Sequence, residues 1–374
     1  MQYKKYTQQL FLLMLLSAQQ ASCKQQIKEK TMAIEQFKWE ESTNAPLGYP
    51  AEVYQGGLEL ASGGFVGLFH GTIPGDNGWG SPGSGMSSGA KTLPNKLDVK
   101  YLSYAENQFY YANCPIDYDK LVRVFKEPLQ RRGAMGNLLA DHFDQVNVGF
   151  APGGVVVVWA SGPGHRVEIG RYQAEKTVIP ESEINRLDGA AHLIFEETEV
   201  ERVMHSNSII PLAVQAANKN KPIPFGLWDS YRKKYHWRPI FQIQQEGKMR
   251  DFSFTYFNGE RNKYFYENNI QSTKNSELFY QEVQDSITFA IPSSIGFSWF
   301  AKDSRKYSGY FRFNEQEIFQ AFHKLCASDT TTHIEMLIRT NIPNSYATVL
   351  LRNSQGKEIA LIQHDDEEFF QIKR

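Results

Sequence analysis

Four side chains in or beside a glycine-rich segment, residues 71–93, are the best candidates in this chain for contacting another molecule. They are His70, Asp76, Trp79 and Lys91. An irregular segment of this length inside a compact domain is more often functional or mobile than idle. Trp79 is either an exposed recognition aromatic or a side chain that folds back over a sheet. We favour the second arrangement because Trp is highly buried on average.

A phosphate-binding loop is excluded at residues 85–92, although glycine, serine and lysine all occur there. Ala90 separates Gly89 from Lys91, so the spacing departs from that motif. The next residues, Leu93 and Pro94, begin a predicted strand, whereas a helix N-terminus should present amide groups to the phosphates.

Hydrolytic catalysis would need a nucleophile, a base and an orienting acid that meet in space. No Gly-x-Ser-x-Gly turn precedes a predicted helix in this sequence. The alternative hypothesis of an enzyme therefore depends on His70 and Asp76, acting in a hydrolase or transferase. His-Glu-x-x-His, EF-hand and Cys-x-x-Cys motifs do not occur, so we expect neither a metal nor a cofactor.

The elements that must position these side chains are predicted to occur twice. Pro94 opens two alternating apolar runs, which are followed by a helical pattern that Asp117 leads. Pro292 opens the same succession, and Asn314 leads its helix. The two prolines are 198 residues apart and the two residues that lead the helices are 197 apart. So constant an offset indicates an internal duplication.

The patterns predict an α+β fold of two tandem homologous domains, each a mostly antiparallel sheet with one main helix. The domains are expected at residues 37–178 and 222–374. Residues 179–221 have no counterpart and carry a weak helical pattern, so we expect a partly helical linker there.

The strongest hairpin signal lies in the second repeat, at Asn258-Gly259, because glycine tolerates the positive φ of a tight turn. Trp39 of the first repeat has two candidate counterparts in the second, Trp228 and Trp237. The spacing of the sequence leaves that choice open.

Composition limits the partners that the chain can have. The chain has 40 Lys and Arg residues and 41 Asp and Glu residues, which gives a formal charge of −1 over 374 residues. No general positive field exists to attract a phosphate backbone, so nucleic acid is not an expected partner. An acidic run at residues 365–368 is expected to be a solvated tail.

The N-terminus, residues 1–22, is predicted to be an export signal. Its apolar run, residues 10–16, is much shorter than the roughly 20 residues that a spanning helix needs. Cys23 stands where a bacterial lipoprotein signal would end, although Gln20 departs from that pattern. We expect Cys23 to be acylated and residues 23–36 to form a polar tether at a membrane. A plain signal peptide is the alternative.

The other two cysteines, Cys114 and Cys326, occupy positions that are not equivalent in the repeat. A disulfide between them is possible in an exported protein, and the sequence does not decide whether it forms.

The chain resembles an uncharacterised bacterial family, domain of unknown function 2931, whose members are often described as lipoproteins. The resemblance covers nearly all of the chain after the signal and rests on structural motifs. These are Trp39 with Tyr49-Pro50, Gly78-Trp79-Gly80, Leu93-Pro94, Tyr101-Leu102-Ser103-Tyr104, Pro152-Gly153-Gly154 with Trp159, Ile169-Gly170, Leu227-Trp228-Asp229, Trp237, Asn258-Gly259-Glu260 and residues 310–322. The resemblance implies an envelope location and no established activity.

Taken together, the sequence favours a membrane-anchored envelope protein, at the outer membrane or facing the periplasm, that works by binding another protein. Protection against a secreted toxin is one form that such binding could take. The alternatives are the hydrolase or transferase that uses His70 and Asp76, and a structural component of an envelope assembly.

Overall fold

The computed structural model describes residues 35–83, 85–265, 288–326 and 332–372. Strands make up 47% of the chain and helices 16%, so the protein is mostly β-sheet with few helices, and its sheets are open. From Gln36 onward the described residues belong to one compact unit. The predicted signal, the tether up to residue 34 and Cys23 lie outside the described residues.

The first fourteen strands precede residue 177. They are β1 (Gln36–Lys38), β2 (Glu40–Asn44), β3 (Ala51–Leu60), β4 (Phe65–Gly67), β5 (Thr72–Ile73), β6 (Ala90–Thr92), β7 (Pro94–Ser103), β8 (Gln108–Pro115), β9 (Leu129–Arg132), β10 (Leu138–Asp141), β11 (Gln145–Ala151), β12 (Val155–Gly162), β13 (His165–Gln173) and β14 (Glu175–Lys176). Helix α1 (Tyr118–Lys126) follows β8.

The remaining elements begin with five short helices, α2 (Glu181–Ile184), α3 (Ala190–Leu193), α4 (Glu197–His205), α5 (Leu212–Asn218) and α6 (Leu227–Ser230). Strands β15 (Lys234–Tyr235), β16 (Trp237–Gln242), β17 (Lys248–Tyr256), β18 (Arg261–Phe265), β19 (Phe289–Ala290), β20 (Pro292–Phe300) and β21 (Lys306–Phe313) follow. The described chain ends with α7 (Glu315–Leu325), β22 (Ile334–Thr340), β23 (Ala347–Asn353), β24 (Glu358–Leu361) and β25 (His364–Ile372).

A nine-stranded sheet runs through the whole unit, in the order β2-β11-β12-β13-β18-β17-β20-β21-β25. Within it β2 runs parallel to β11, and the other neighbours are antiparallel. One of its faces packs on a six-stranded sheet, β14-β8-β7-β3-β4 with β5 beside β3, in the first core. Farther along, it packs on a four-stranded sheet, β16-β22-β23-β24, in the second core.

Helices α1 and α7 form where the sequence predicts them, and each begins at a capping side chain. Asp117 accepts a hydrogen bond from the Lys120 amide at 2.9 Å, and Asn314 accepts one from the Glu317 amide at 3.1 Å. These contacts satisfy amide groups that have no partner inside the helix. The apolar faces of the helices are buried in the two cores, with Leu121, Val124 and Phe125 in one and Ile318, Ala321, Phe322 and Leu325 in the other.

The predicted hairpin at Asn258-Gly259 joins β17 to β18, but only Gly259 has a positive φ, of 86°. The turn is therefore not the two-residue turn in which both residues have positive φ. Instead, Gly259 donates its amide to the Tyr256 carbonyl, and Tyr256 donates its amide to the Glu260 carbonyl. The acidic run is not a free tail, because residues 365–368 belong to β25 and residues 366–368 pair with β21. Cys114 and Cys326 form no disulfide with each other.

The two halves of the nine-stranded sheet join where β13 pairs with β18, through Arg166 and Arg261. Beside this point an aromatic cluster buries Trp159, Trp228 and Tyr231. The backbones of Gly80 and Gly259 touch there: a Cβ on Gly259 would lie 2.9 Å from the Gly80 Cα. No side chain larger than hydrogen fits between these two loops.

We predict that Gly259→Ala destabilises the protein by about 2 kcal/mol more than Gly63→Ala, because overpacking costs roughly 1–3 kcal/mol. Gly63 is a matched control, since its φ is 88°, close to that of Gly259, and nothing lies within 4 Å of a Cβ placed on it. Both variants place an alanine at a positive φ, and only Gly259→Ala also brings a Cβ against the backbone of Gly80. Urea unfolding of the two variants measures the difference, and equal losses would contradict the backbone contact.

Candidate functional site

The glycine-rich segment lies along β2, the strand at one end of the nine-stranded sheet. A Cβ on Gly83 would lie 2.4 Å from the Thr43 carbonyl oxygen, and one on Gly85 would lie 2.2 Å from that of Glu41. Glycines two residues apart thus face carbonyls two residues apart. The segment covers a strand edge that would otherwise offer unpaired backbone groups.

The peptide of Gly80 is held on both sides by asparagines of the sheet. Its amide donates to Asn44 Oδ1 at 2.9 Å, and its carbonyl accepts from Asn147 Nδ2. Ser42 in turn donates to Asn147 Oδ1 at 3.0 Å. All three side chains are buried, so the hydrogen bonds both fix the segment and satisfy polar groups that have lost water.

Arg166 reaches the same segment from β13. Its guanidinium donates to the Gly259 carbonyl at 2.7 Å and to Ser81 Oγ at 3.3 Å. Burial and the neighbouring Arg261 lower the pKa of Arg166 to about 9, so the group is still charged at neutral pH. The segment is therefore pinned by both halves of the nine-stranded sheet.

These contacts leave a cleft of about 190 Å³ between the end of β2 and the turn at residues 74–78. Its walls are mostly backbone and small polar groups. The lining residues are Thr43, Asn44, Phe69, Thr72, Ile73, Pro74, Gly75, Asp76, Asn77, Gly78, Ser81 and Gly83. Asn44 is 3% exposed, and its Nδ2 donates no hydrogen bond within the described residues. An unpaired buried donor beside a cleft suits a ligand that brings an acceptor oxygen.

A second set of contacts anchors the far end of the segment. Glu41, which is completely buried, accepts hydrogen bonds from the amides of Met86 at 2.6 Å and Ser87 at 2.9 Å. The Ser87 hydroxyl donates to the same carboxylate and accepts from Lys91 Nζ at 3.1 Å. Lys91 also donates to the Trp39 carbonyl, and its Nζ lies 4.4 Å from the centre of the Trp39 ring.

The pKa of Lys91 is lowered by loss of solvent, and the charges of Glu41 and Glu40 oppose that shift. The ammonium is engaged inside the protein, and we assign it the role of holding the segment in place.

The four candidate residues lie in different surroundings. Asp76 is exposed and lines the cleft. Trp79 packs edge-on against Trp159 with ring centres 5.0 Å apart, so it folds back over the sheet as we favoured. His70 is exposed and makes no hydrogen bond or ion pair with any residue that the structure describes. Lys91 belongs to the anchoring contacts.

The residues that sequence reasoning missed are the buried polar ones of β2 and its neighbours. Residues 40–44 read as a polar stretch, which predicts exposure, yet four of the five are buried. Their partners lie far along the chain, as Arg166 and Gly259 illustrate, and no local pattern reports such contacts.

Chemically, the cleft offers recognition groups and no assembled set of reactive groups. His70 and Asp76 are not hydrogen-bonded to each other, and the described part of the chain holds no group of three or more His, Cys, Asp and Glu side chains suited to a metal ion. A larger depression of about 530 Å³ lies beside β22, but the carboxylate of Glu335 there is paired with Arg238 and Arg352.

A comparison with known protein families identifies the family of this chain. Residues 19–226 match the model of a family described as "Protein of unknown function (DUF2931)", which is more than half of the chain. The chain belongs to this family. The DUF2931 match includes β1 to β14, the glycine-rich segment and its cleft. No curated protein and no solved structure matches the chain.

The helices that the structure describes include none with the length and apolar character required to cross a bilayer.

We predict that Glu41→Ala frees residues 85–91 and lowers the free energy of unfolding by about 2–3 kcal/mol, because hydrogen bonds to a buried charged group are lost. Glu40→Ala is the matched control, since that carboxylate lies in the same strand and accepts a side-chain hydrogen bond from Gln145. Hydrogen exchange of residues 85–91 and urea unfolding measure the two effects. Unchanged hydrogen exchange of residues 85–91 in Glu41→Ala would contradict the role of Glu41 in anchoring the segment.

Proposed function

We propose that this DUF2931 protein is a membrane-anchored binding protein that acts without covalent chemistry. The observation that carries the proposal is the fixed glycine-rich segment. Glycines, asparagines and a buried carboxylate hold it against the sheet, and the cleft that results presents backbone and neutral polar groups. A preformed site of this kind loses little conformational entropy when a ligand binds.

The chemistry of the cleft suits a stretch of polypeptide. The unpaired Asn44 amide can donate to a peptide carbonyl, and the exposed Asp76 carboxylate can accept from an amide or pair with a cation. We propose that the partner is another protein. An immunity-like protector that occupies a secreted toxin is the form that best agrees with an envelope location.

The location is part of the proposal and is supported by sequence alone. A short apolar run ends near Cys23, whose acylation would hold the protein on a membrane without a spanning helix. The alternative of a hydrolase or transferase is less well supported, because His70 lies exposed and is not bonded to Asp76.

We also propose that the two halves arose by duplication, and several matched features support this. Each half has a parallel pair, β2 with β11 and β16 with β22, and each has a small pair before it, β1 with β6 and β15 with β19. Trp39 Nε1 donates to the Thr92 carbonyl and Trp237 Nε1 to the Ala290 carbonyl, at the offset of 198 residues. This favours Trp237 over Trp228 as the counterpart of Trp39.

We expect Asp76→Arg to abolish capture of the partner, because it places a large cation on the cleft wall while disturbing one local bond. His70→Ala is the matched control, since His70 is exposed and does not line the cleft. Cross-linking in the producing cells followed by mass spectrometry compares the captured proteins. Loss of the cellular phenotype in both variants, with capture and fold intact, would instead favour the enzyme.

We expect a palmitate analogue to label the full chain and not Cys23→Ala. Cys114→Ala serves as the control, because it removes a thiol that the structure places in β8. In-gel detection of the label after detergent extraction measures the effect. Equal labelling of the parent chain and Cys23→Ala would rule out the anchor.

A further inference from the structure

One face of the second half of the nine-stranded sheet carries a polar surface that no predicted function uses. Residues that are direct partners in neighbouring strands lie on the same face of a sheet. Two rows can be followed in this way across β18, β17, β20 and β21. They are Arg261, Thr255, Ser294 and Arg312, and then Lys263, Ser253, Gly296 and Tyr310.

The two rows form a trough, which we call the basic trough. The two middle strands contribute hydroxyls and glycine, and the two outer strands contribute long side chains. Three strand spacings separate β18 from β21, which is about 14 Å. Burial lowers the pKa of Arg261, and Tyr310 on the opposite wall opposes that shift.

Cations crowd the β18 wall. Loss of solvent, together with the charges of Arg261 and Lys263, lowers the pKa of His165 to about 4. Burial also lowers the pKa values of Lys263 and Lys306. Each of these groups thus lies in a half-buried environment that already holds positive charge.

A single carboxylate, Asp251, faces this group of cations among the described residues that influence them. It is already engaged, since it accepts from Arg132 at 2.9 Å, from Ser298 and from Arg250. Within the described residues, neither Arg261 nor Lys263 forms an ion pair with a carboxylate.

The guanidinium of Arg261 supplies a second, independent observation. Its Nε is buried and makes no hydrogen bond to the described chain, and the same holds for Nε of its neighbour Arg166. Burying a charged donor without a partner is costly. A site that retains this unfavourable desolvation energy is often one whose ligand supplies the missing hydrogen-bond acceptor.

We infer that the basic trough binds a phosphate group, with Arg261 and Lys263 holding the oxygens and the hydroxyls of Ser253, Thr255 and Ser294 donating from the floor. A guanidinium fork matches phosphate oxygens, and several cations at one place suit a multiply charged group better than a single carboxylate. Because the residues of the basic trough are half-buried, we expect the site to admit a group as small as a single phosphate. This site is independent of the cleft and of the proposed function.

Acidic residues on β25 limit how the ligand lies. Asp366 pairs in register with Arg312, and Glu368 pairs with Tyr310. The charge of Asp366 contributes to raising the pKa of Arg312. Because this edge of the trough is acidic, the phosphate belongs at the β18 wall, and an uncharged or cationic part of the ligand belongs towards β25.

Isothermal titration of the full chain, in the Cys23→Ala background, tests the site with inorganic phosphate, pyrophosphate and citrate. The test variant is Arg261→Gln with Lys263→Gln. The matched control is Lys302→Gln with Lys357→Gln, which removes the same charge at exposed positions outside the trough. Lys263→Gln alone serves if the double variant does not fold. Co-sedimentation with phosphatidylglycerol or phosphatidylcholine vesicles distinguishes a lipid headgroup from a free phosphate.

We expect one phosphate or pyrophosphate to bind per chain, and at least tenfold weaker binding in the test variant but not in the control. Without ligand the test variant should melt at the same or a higher temperature, because the cations repel one another. Binding to phosphatidylglycerol vesicles alone, lost in the test variant, would assign the headgroup as the source. Equal affinities in all variants, binding of citrate alone, or no binding to any probe would overturn the inference.

Discussion

The contact between the backbones of Gly80 and Gly259 is the constraint on which the rest of the structure depends. It joins the glycine-rich segment to the hairpin between β17 and β18, and Trp159 packs against it. Hydrogen bonds from Asn147 and Arg166 hold the two loops in place. If the loops moved apart, the cleft would lose one wall and the buried guanidinium would lose a hydrogen-bond acceptor.

The two candidate sites differ in how their polar groups are satisfied. Around the glycine-rich segment Ser42, Asn147 and Glu41 are hydrogen-bonded, whereas Asn44 Nδ2 has no partner in the described chain, and Asp76 is the charged residue that lines the cleft. Among the described residues of the basic trough the cations outnumber the carboxylates, and the buried Nε of Arg261 has no hydrogen-bond acceptor. The first arrangement stabilises the fold. The second stores electrostatic repulsion that a bound anion would relieve.

Periodicity and capping patterns predicted the regular elements well. Asp117 and Asn314 lead helices as expected, and the alternating runs after Pro94 and Pro292 are strands. These features follow from local chemistry, which a sequence displays directly. The joining of both halves in one sheet depends on the pairing of Arg166 with Arg261, 95 residues apart, and no local pattern contains it.

The candidate site was predicted only in part, for the same reason. The segment was identified by its length and its glycines, and Asp76 does line the cleft. The purpose of Gly83 and Gly85 was not visible, because it lies in the carbonyls of β2. Likewise Glu41 belongs to a polar stretch, a pattern typical of exposed residues, and it is completely buried.

The parallel pairing of β2 with β11 also sets an order of assembly. Glu40 and Gln145, which face each other in that pair, are separated by 105 residues, and antiparallel hairpins such as β11 with β12 need only a short turn. Closing the long loop costs more chain entropy than closing the turn, and contacts of high sequence separation slow folding. We therefore expect the hairpin of β11 and β12 to form before β2 pairs with β11. Until β2 is in place, the backbone groups at the free edge of β11 are exposed and can pair with a strand of another chain.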